Sequence, residues 1–496
     1  EWANKYLGPE SYAIIYKREG KDPDEQKIAA PKITPIVTNR DSQSEFLSEI
    51  QTSQVQPIEP VFVDYKKDMS QFEAQPGIDV LYKKNETNDI FTLIYVFNTG
   101  TENDPALNLA FNYLSYLGTD KMTAEEIASE MYDIACSFYM NAGANQSSIQ
   151  ITGLSENMGK AMEIVEGLIA GAKPDEAILE NCKADMLKSR ADAKLNQSRC
   201  FGALQRYLFY GGDFIRRTTL TDPALQALTS EQLLAKIGGL MGKQHEVLYY
   251  GPQKEAEVKS ALAEHHKVAA DLQPLEKKFS TLLPTDANKV VLAQYDAKQL
   301  YYLQFSNRGE KFDVAADPEI TLYNEYFGGG MNTIVFQEMR EARGLAYTAW
   351  ATLATPSNAN GDYSYYAFIA TQNDKMQKAV EAFDDIINNM PESEKAFGIA
   401  KEALVSRLRT ERTVKDGVLW SYLRARDLGL DAPRDKQIFE KVQSMTLDDV
   451  KAAQQKWVKG RKYVYGILGD IQDLDLNYLK TLGPIQTVSQ EEIFGY

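Results

Sequence analysis

Few side chains in this sequence could do chemistry, and most of them stand alone. The only histidines are His245, His265 and His266. Adjacent histidines on a helix point about 100° apart, and Glu264 beside them does not complete a chelating set. A helix C-terminus that favours partial positive charge accounts for the pair. Cys136, Cys182 and Cys200 form neither a C-x-x-C pair nor a dense disulfide framework. Asp470, Asp473, Asp475 and Asn477 resemble the opening of a calcium loop, but no Gly follows Asn477 and no Glu closes the loop. The Gly328–Gly330 run lacks the Lys-Ser/Thr of a phosphate loop, and no nucleophile has a base at recognisable spacing. What remains is FGGGMNTIVFQEMREARGLAYTAWA, Phe327 to Ala351, which places Arg340 seven positions before Tyr347 with Arg343 between them.

The elements around that pair can be read from the same block. Three glycines permit a sharp turn, and Ile334, Val335 and Met339 make an apolar stripe on the helix that follows. Gly344 ends the helix, and Leu345-Ala346-Tyr347 begins a strand. The block resembles the second-domain signature of the M16 (pitrilysin, insulinase-like) zinc metallopeptidase family, where a glycine-rich turn leads into R-E-x-R-G-L-A-Y. The resemblance implies that Arg340 binds substrate backbone and that Tyr347 binds substrate and stabilises the tetrahedral intermediate in the active site of a partner half. The residue types suit that work: a guanidinium offers fixed donors to a peptide carbonyl, and a phenol can stabilise an oxyanion. A plainer reading stays open, in which Arg340 pairs with Glu338 or Glu341 and Tyr347 is an ordinary strand aromatic. Arg343 is expected to be structural.

In catalytic relatives the first helix of a domain reads H-x-x-E-H shortly before Gly-Thr, with two His and a downstream Glu on zinc and the motif Glu as general base. Counting back from Gly118-Thr119, the corresponding positions here hold Leu109, Asn112 and Tyr113. Leucine has no ligand atom, and asparagine cannot take and carry a proton. The second repeat offers nothing better near Tyr323. No metal or other cofactor is therefore expected in this chain. By the resemblance, zinc belongs to a partner N-terminal half.

Two long stretches repeat. Asp104-Pro105 and Asp317-Pro318 each open a helical run, followed by a helix, a pair of strands, and matching helices from Met158 and Met376. The offset is 213 at the first landmark and 218 at the second, which fits a five-residue insertion at Ser357–Gly361. Two copies of one α+β domain is the simplest reading. The expected organisation is a last strand of an upstream domain at 1–20, a linker at 21–76, a domain at 77–270, a linker at 271–288 and a second domain at 289–496. The first assignment rests on SYAIIYKREG (Ser11–Gly20), which resembles the Tyr-rich strands expected at His245–Pro252 and Arg461–Asp470. Each domain should be an antiparallel-rich sheet packed on a layer of helices, the M16 peptidase-like (LuxS/MPP-like) fold.

The 496 residues leave room for two or three domains, and 54 basic against 70 acidic residues give a net charge of −16. That excess argues against nucleic acid as a partner. The longest apolar run, Ile90–Phe97, is far below the roughly 20 residues that span a bilayer. Taken together, the resemblance implies the non-zinc-binding C-terminal half of a metalloendopeptidase, inactive alone. Its partners would be an N-terminal zinc-bearing half, in the same polypeptide or a companion subunit, and unfolded peptides. Export or a bacterial periplasm is favoured over the cytoplasm on the same ground. The alternative is a catalytically inactive structural or assembly subunit.

Overall fold

The computed structural model describes residues 2–8, 10–18, 20, 44–54 and 56–496. They divide into two compact units, Glu1–Pro57 and Ile58–Tyr496. The first unit holds the helices Trp2–Tyr6 and Glu45–Thr52. The strand expected over Ser11–Gly20 is not formed: residues 11–18 belong to no helix or strand, and position 19 lies outside the described residues. Part of the expected linker, residues 21–43 and 55, also lies outside them.

In the second unit the first domain starts earlier than its periodicity suggested. Within the supposed linker, β1 (Ser70–Gln75) pairs antiparallel with β2 (Ile78–Lys84). There follow β3 (Ile90–Phe97), the helices Leu107–Leu114 and Ala124–Asp133, β4 (Cys136–Ala142) and β5 (Ser147–Leu154). A Thr123–Glu126 capping box starts the second of those helices by satisfying its orphan N–H groups. The helices Met158–Gly171, Glu176–Lys194, Gln197–Thr218 and Ser230–Met241 come next, then β6 (His245–Gly251) and the helix Glu255–His265. The sheet order is β1-β2-β6-β3-β5-β4, so the last strand made enters the middle, parallel to β2 and antiparallel to β3.

The second domain repeats this plan with β7 (Lys289–Gln294), β8 (Gln299–Ser306), the helix Asp317–Phe327, β9 (Thr348–Ala354), β10 (Ser364–Gln372), the helices Met376–Asn388, Glu394–Thr410 and Gly417–Asp427, and β11 (Val464–Gly469). Its order is β12-β7-β11-β8-β10-β9, with β11 parallel to β7 and antiparallel to β8. The outermost strand differs: β12 (Ile485–Val488) comes from the chain's far end and runs parallel to β7. The molecule is thus α+β, with two homologous domains.

Each sheet buries one face under its own helices and the other under a helix of the opposite domain. Leu81, Ile94, Val96 and Leu248 of the first sheet pack against Val418, Leu419 and Leu423 of the helix Gly417–Asp427. Val291, Leu303, Phe368 and Leu468 of the second sheet pack against Phe201, Leu204 and Leu208 of the helix Gln197–Thr218. A fully buried leucine contributes about 1.5–3 kcal/mol, so this exchange helps hold the two domains together. Polar clamps reinforce it. Arg426 grips Glu246 of β6 with both terminal nitrogens, the Nη2–Oε2 distance being 2.8 Å, and Lys277 meets Asp427 at 2.6 Å.

Candidate functional site

The Arg340–Tyr347 block lies against β9, which pairs only with β10 and is the edge of the second sheet. Its glycine turn is pressed onto that strand. A Cβ on Gly328 would fall 1.9 Å from the carbonyl oxygen of Ala351, and the Ala351 N–H donates to the Gly328 carbonyl at 3.0 Å. After a short helical turn at Ile334–Phe336 the backbone widens into a π-helix over Gln337–Ala342, a rare form that re-aims side chains. Gly344, at φ +58°, then reverses the chain in a conformation that favours glycine.

This path brings Arg340 and Tyr347 together. The Arg340 guanidinium carbon sits 4.9 Å from the ring centre of Tyr347 and 4.9 Å from that of Phe336, between two aromatic faces. Its Nε lies 3.5 Å from Glu341, a contact too long to hold the group firmly. Tyr347 is 72% exposed, and its backbone N–H donates to the Ala370 carbonyl at 3.3 Å. Arg343 does otherwise: it bridges Glu338 at 3.3 Å and Asp385 at 3.1 Å, tying the π-helix to the helix Met376–Asn388. The Asp385 carboxyl is held below its ordinary range by hydrogen bonds from Asn389 and from Arg343. A cleft of about 560 Å³ opens beside the turn, between Gly329–Thr333 and the outer face of β9 at Trp350 and Thr352.

The first repeat has no such pair. Ile151 and Ile369 are equivalent, Phe138 lies opposite the first and Ala349 opposite the second. That correspondence puts Ser129 at the place of Arg340 and Cys136 at the place of Tyr347.

The three degenerate zinc positions do not converge. Leu109 is fully buried in the apolar core and Asn112 points to solvent. The buried Tyr113 hydroxyl donates to Ser230 Oγ at 2.8 Å and accepts from the Asp175 N–H at 2.7 Å, pinning two helix starts together. These residues do not fit a zinc ion. Among the described residues, no group of three or more His, Cys, Asp or Glu side chains could hold a metal.

Sequence reasoning missed a buried polar cluster. His266 caps the helix Glu255–His265 but is buried, and its Nδ1–H donates to Glu166 Oε1 at 2.5 Å. Its Nε2 meets His245 Nε2 at 2.8 Å, and His245 Nδ1–H donates to the Lys243 carbonyl at 2.8 Å. Burial, then the neighbouring His266, pushes His245 down to about 4. The helix-terminus account therefore covers His265 alone. No local signal could have paired residues that lie 21 and 100 positions apart.

Residues 244–404 match the family model described as the peptidase M16 inactive domain. The chain is 23% identical over 312 residues to an uncharacterised zinc protease of Rickettsia bellii, covering 60% of this chain and 70% of that one. Its fold matches the crystal structure of a peptidase M16 inactive domain from Pseudomonas fluorescens with a TM-score of 0.63 at 18% identity, over 81% of this chain and 98% of that one. It also matches the periplasmic protease PqqL of Escherichia coli with a TM-score of 0.61 at 14% identity, over 89% of this chain but 49% of PqqL. Over residues 244–404 the chain thus resembles the inactive domain of the M16 peptidase family. It spans about half the length of PqqL.

Proposed function

We propose that this chain is the non-zinc-binding half of an M16 metalloendopeptidase, working with an N-terminal zinc-bearing half on unfolded peptides. The observation that carries the reading is the exposed Arg340–Tyr347 stack, present in one repeat and absent from the equivalent place in the other. An exposed phenol and a half-exposed guanidinium stacked together are available to a ligand. Arg340 would donate to a substrate backbone carbonyl, with the Phe336 face limiting its swing. The Tyr347 O–H would donate to the carbonyl oxygen as negative charge develops on it, and oxyanion donors of that kind act mainly on the transition state. The metal and the attacking water would belong to the partner half. Similarity to a periplasmic protease supports an exported setting, which fractionation of the native host would check.

The test is cleavage of quenched fluorogenic peptides by the chain alone, by the zinc-bearing half alone and by the two together, each with and without chelator. Chelator-sensitive cleavage in the mixture only is expected, and its loss in Arg340→Ala/Tyr347→Phe with association intact. Full activity of that double variant would assign the pair a structural role. Silence of the mixture under every condition would favour the assembly-subunit reading.

A further inference from the structure

Away from the Arg340–Tyr347 surface, a cleft of about 680 Å³ opens in the helical layer of the first domain. It is lined by the helices Met158–Gly171 and Ser230–Met241 and by the end of the helix Glu255–His265. Small-ligand pockets run from roughly 300 to 1,000 Å³, so the space is of that size.

Two of the lining residues are glycines set inside helices, Gly167 and Gly238. A Cβ at either would meet nothing within 4 Å, and neither has a positive φ. A glycine inside a helix weakens it relative to alanine, and here neither close packing nor backbone conformation calls for one. What the two glycines provide is open room along the cleft, with the apolar Ile169 and Met241 beside it.

The charge in the cleft is one-sided. Glu163, Glu166 and Glu264 line it against a single lysine, Lys267. The cationic groups nearest the outer two stand off: Lys160 Nζ is 3.9 Å from Glu163, and His265 Nε2 is 3.9 Å from Glu264. Glu166 is only 6% exposed, and His266 Nδ1, at 2.5 Å from Oε1, is the one hydrogen-bond partner of its carboxylate at bonding distance among the described residues. A carboxylate offers about four acceptor positions, and burying it is costly unless they are met. A donor arriving through the cleft would meet them.

We propose that this cleft binds an organic cation, an ammonium or guanidinium group on an apolar stem. The charged group would pair with Glu166 while the stem lies along Gly167 and Gly238, and Glu163 and Glu264 would favour its entry. An anion would face three carboxylates, and a neutral apolar molecule would leave Glu166 without its donor. A free amine and a lysine or arginine side chain of a peptide share this chemistry. The inference does not depend on a zinc-bearing half.

Calorimetric titration of the chain with benzylammonium, with the blocked peptide acetyl-Gly-Arg-Gly-amide and with benzyl alcohol tests it. At least one of the two cations should bind about tenfold or more tightly than benzyl alcohol, and the one that does identifies the source. Gly238→Leu and, on the facing helix, Gly167→Leu should each weaken that binding about tenfold by filling the cleft, with thermal unfolding midpoints no lower than that of the parent chain. Glu166→Gln should weaken it similarly; because Glu166 also holds His266, the two leucine variants decide. Absence of binding by both cations up to about 10 mM would overturn the proposal, as would benzyl alcohol binding as tightly as the cations, or affinity unchanged in both leucine variants.

Discussion

Glu166 and Asp384 occupy the same place in the two repeats, since Met158 aligns with Met376, yet their surroundings have little in common. The first carboxylate is met by a histidine pair. The second has a single long hydrogen bond from Gln304 at 3.3 Å, and the hydroxyls of Tyr302, Tyr323 and Tyr365 nearby in the same core lack hydrogen-bond partners. Burial raises Asp384 to about 6, whereas burial lowers His245 to about 4. One backbone plan thus stores two opposite responses to acid. Divergence after duplication has acted on what fills the space between sheet and helix as well as on the exposed Arg–Tyr surface.

The largest effect should come from breaking the asymmetry of that surface. Arg340→Ala/Tyr347→Phe should lower kcat of the paired enzyme by roughly 10²–10³-fold, while Ser129→Ala/Cys136→Ser, at the equivalent place, should change it less than about twofold. Equal losses from the two double variants, measured by steady-state peptide cleavage, would erase the distinction between the repeats.

The glycine turn sharpens the comparison within one repeat. Gly328→Ala puts a methyl into the Ala351 carbonyl and should cost several kcal/mol, on the order of 3 or more. Gly329→Ala meets nothing within 4 Å and should change stability by less than about 1 kcal/mol. Denaturant unfolding of both variants checks this, and similar midpoints would mean that the turn is not pressed against β9.

The two buried clusters predict opposite pH slopes. His245 binds its proton less well in the fold, so its contribution is lost as pH falls from about 6.5 to about 4. Asp384 binds its proton better in the fold, so its contribution is lost as pH rises from about 3.8 to about 6. Each shift of a little over two units is worth about 3 kcal/mol, and the two largely offset one another in the intact protein. Asp384→Asn should leave a stability that climbs with pH across this window; His245→Gln should leave one that declines. Unfolding midpoints at pH 4.5, 5.5 and 7 would show it, and parallel profiles for the two variants would refute it. A smaller effect is expected from Tyr113→Phe, about 1–2 kcal/mol, because the Asp175 N–H and the Ser230 hydroxyl lose their partner.

The duplication, the fold class and the Arg340–Tyr347 block were legible because they rest on local signals: periodicity, turn glycines and a long motif. The paired strands at 136–154 and 348–372 could be read for the same reason. β1 was not, since Ser-Gln-Phe-Glu-Ala-Gln has the composition of a linker and becomes a strand only through its pairing with β2. The π-helix under Arg340 leaves no mark on sequence spacing. The His245–His266–Glu166 cluster is assembled by three elements distant in the chain, and the five apolar residues at 12–16 read as a strand although nothing in the described residues pairs with them.

The exchanged helices bear on movement. Leu419 and Leu204 are fully buried on a sheet of the opposite domain, so parting the two domains would expose both apolar faces at once and break the Arg426–Glu246 clamp. Residues 58–496 should therefore move as one rigid body, with any large displacement taken up outside them rather than along their middle.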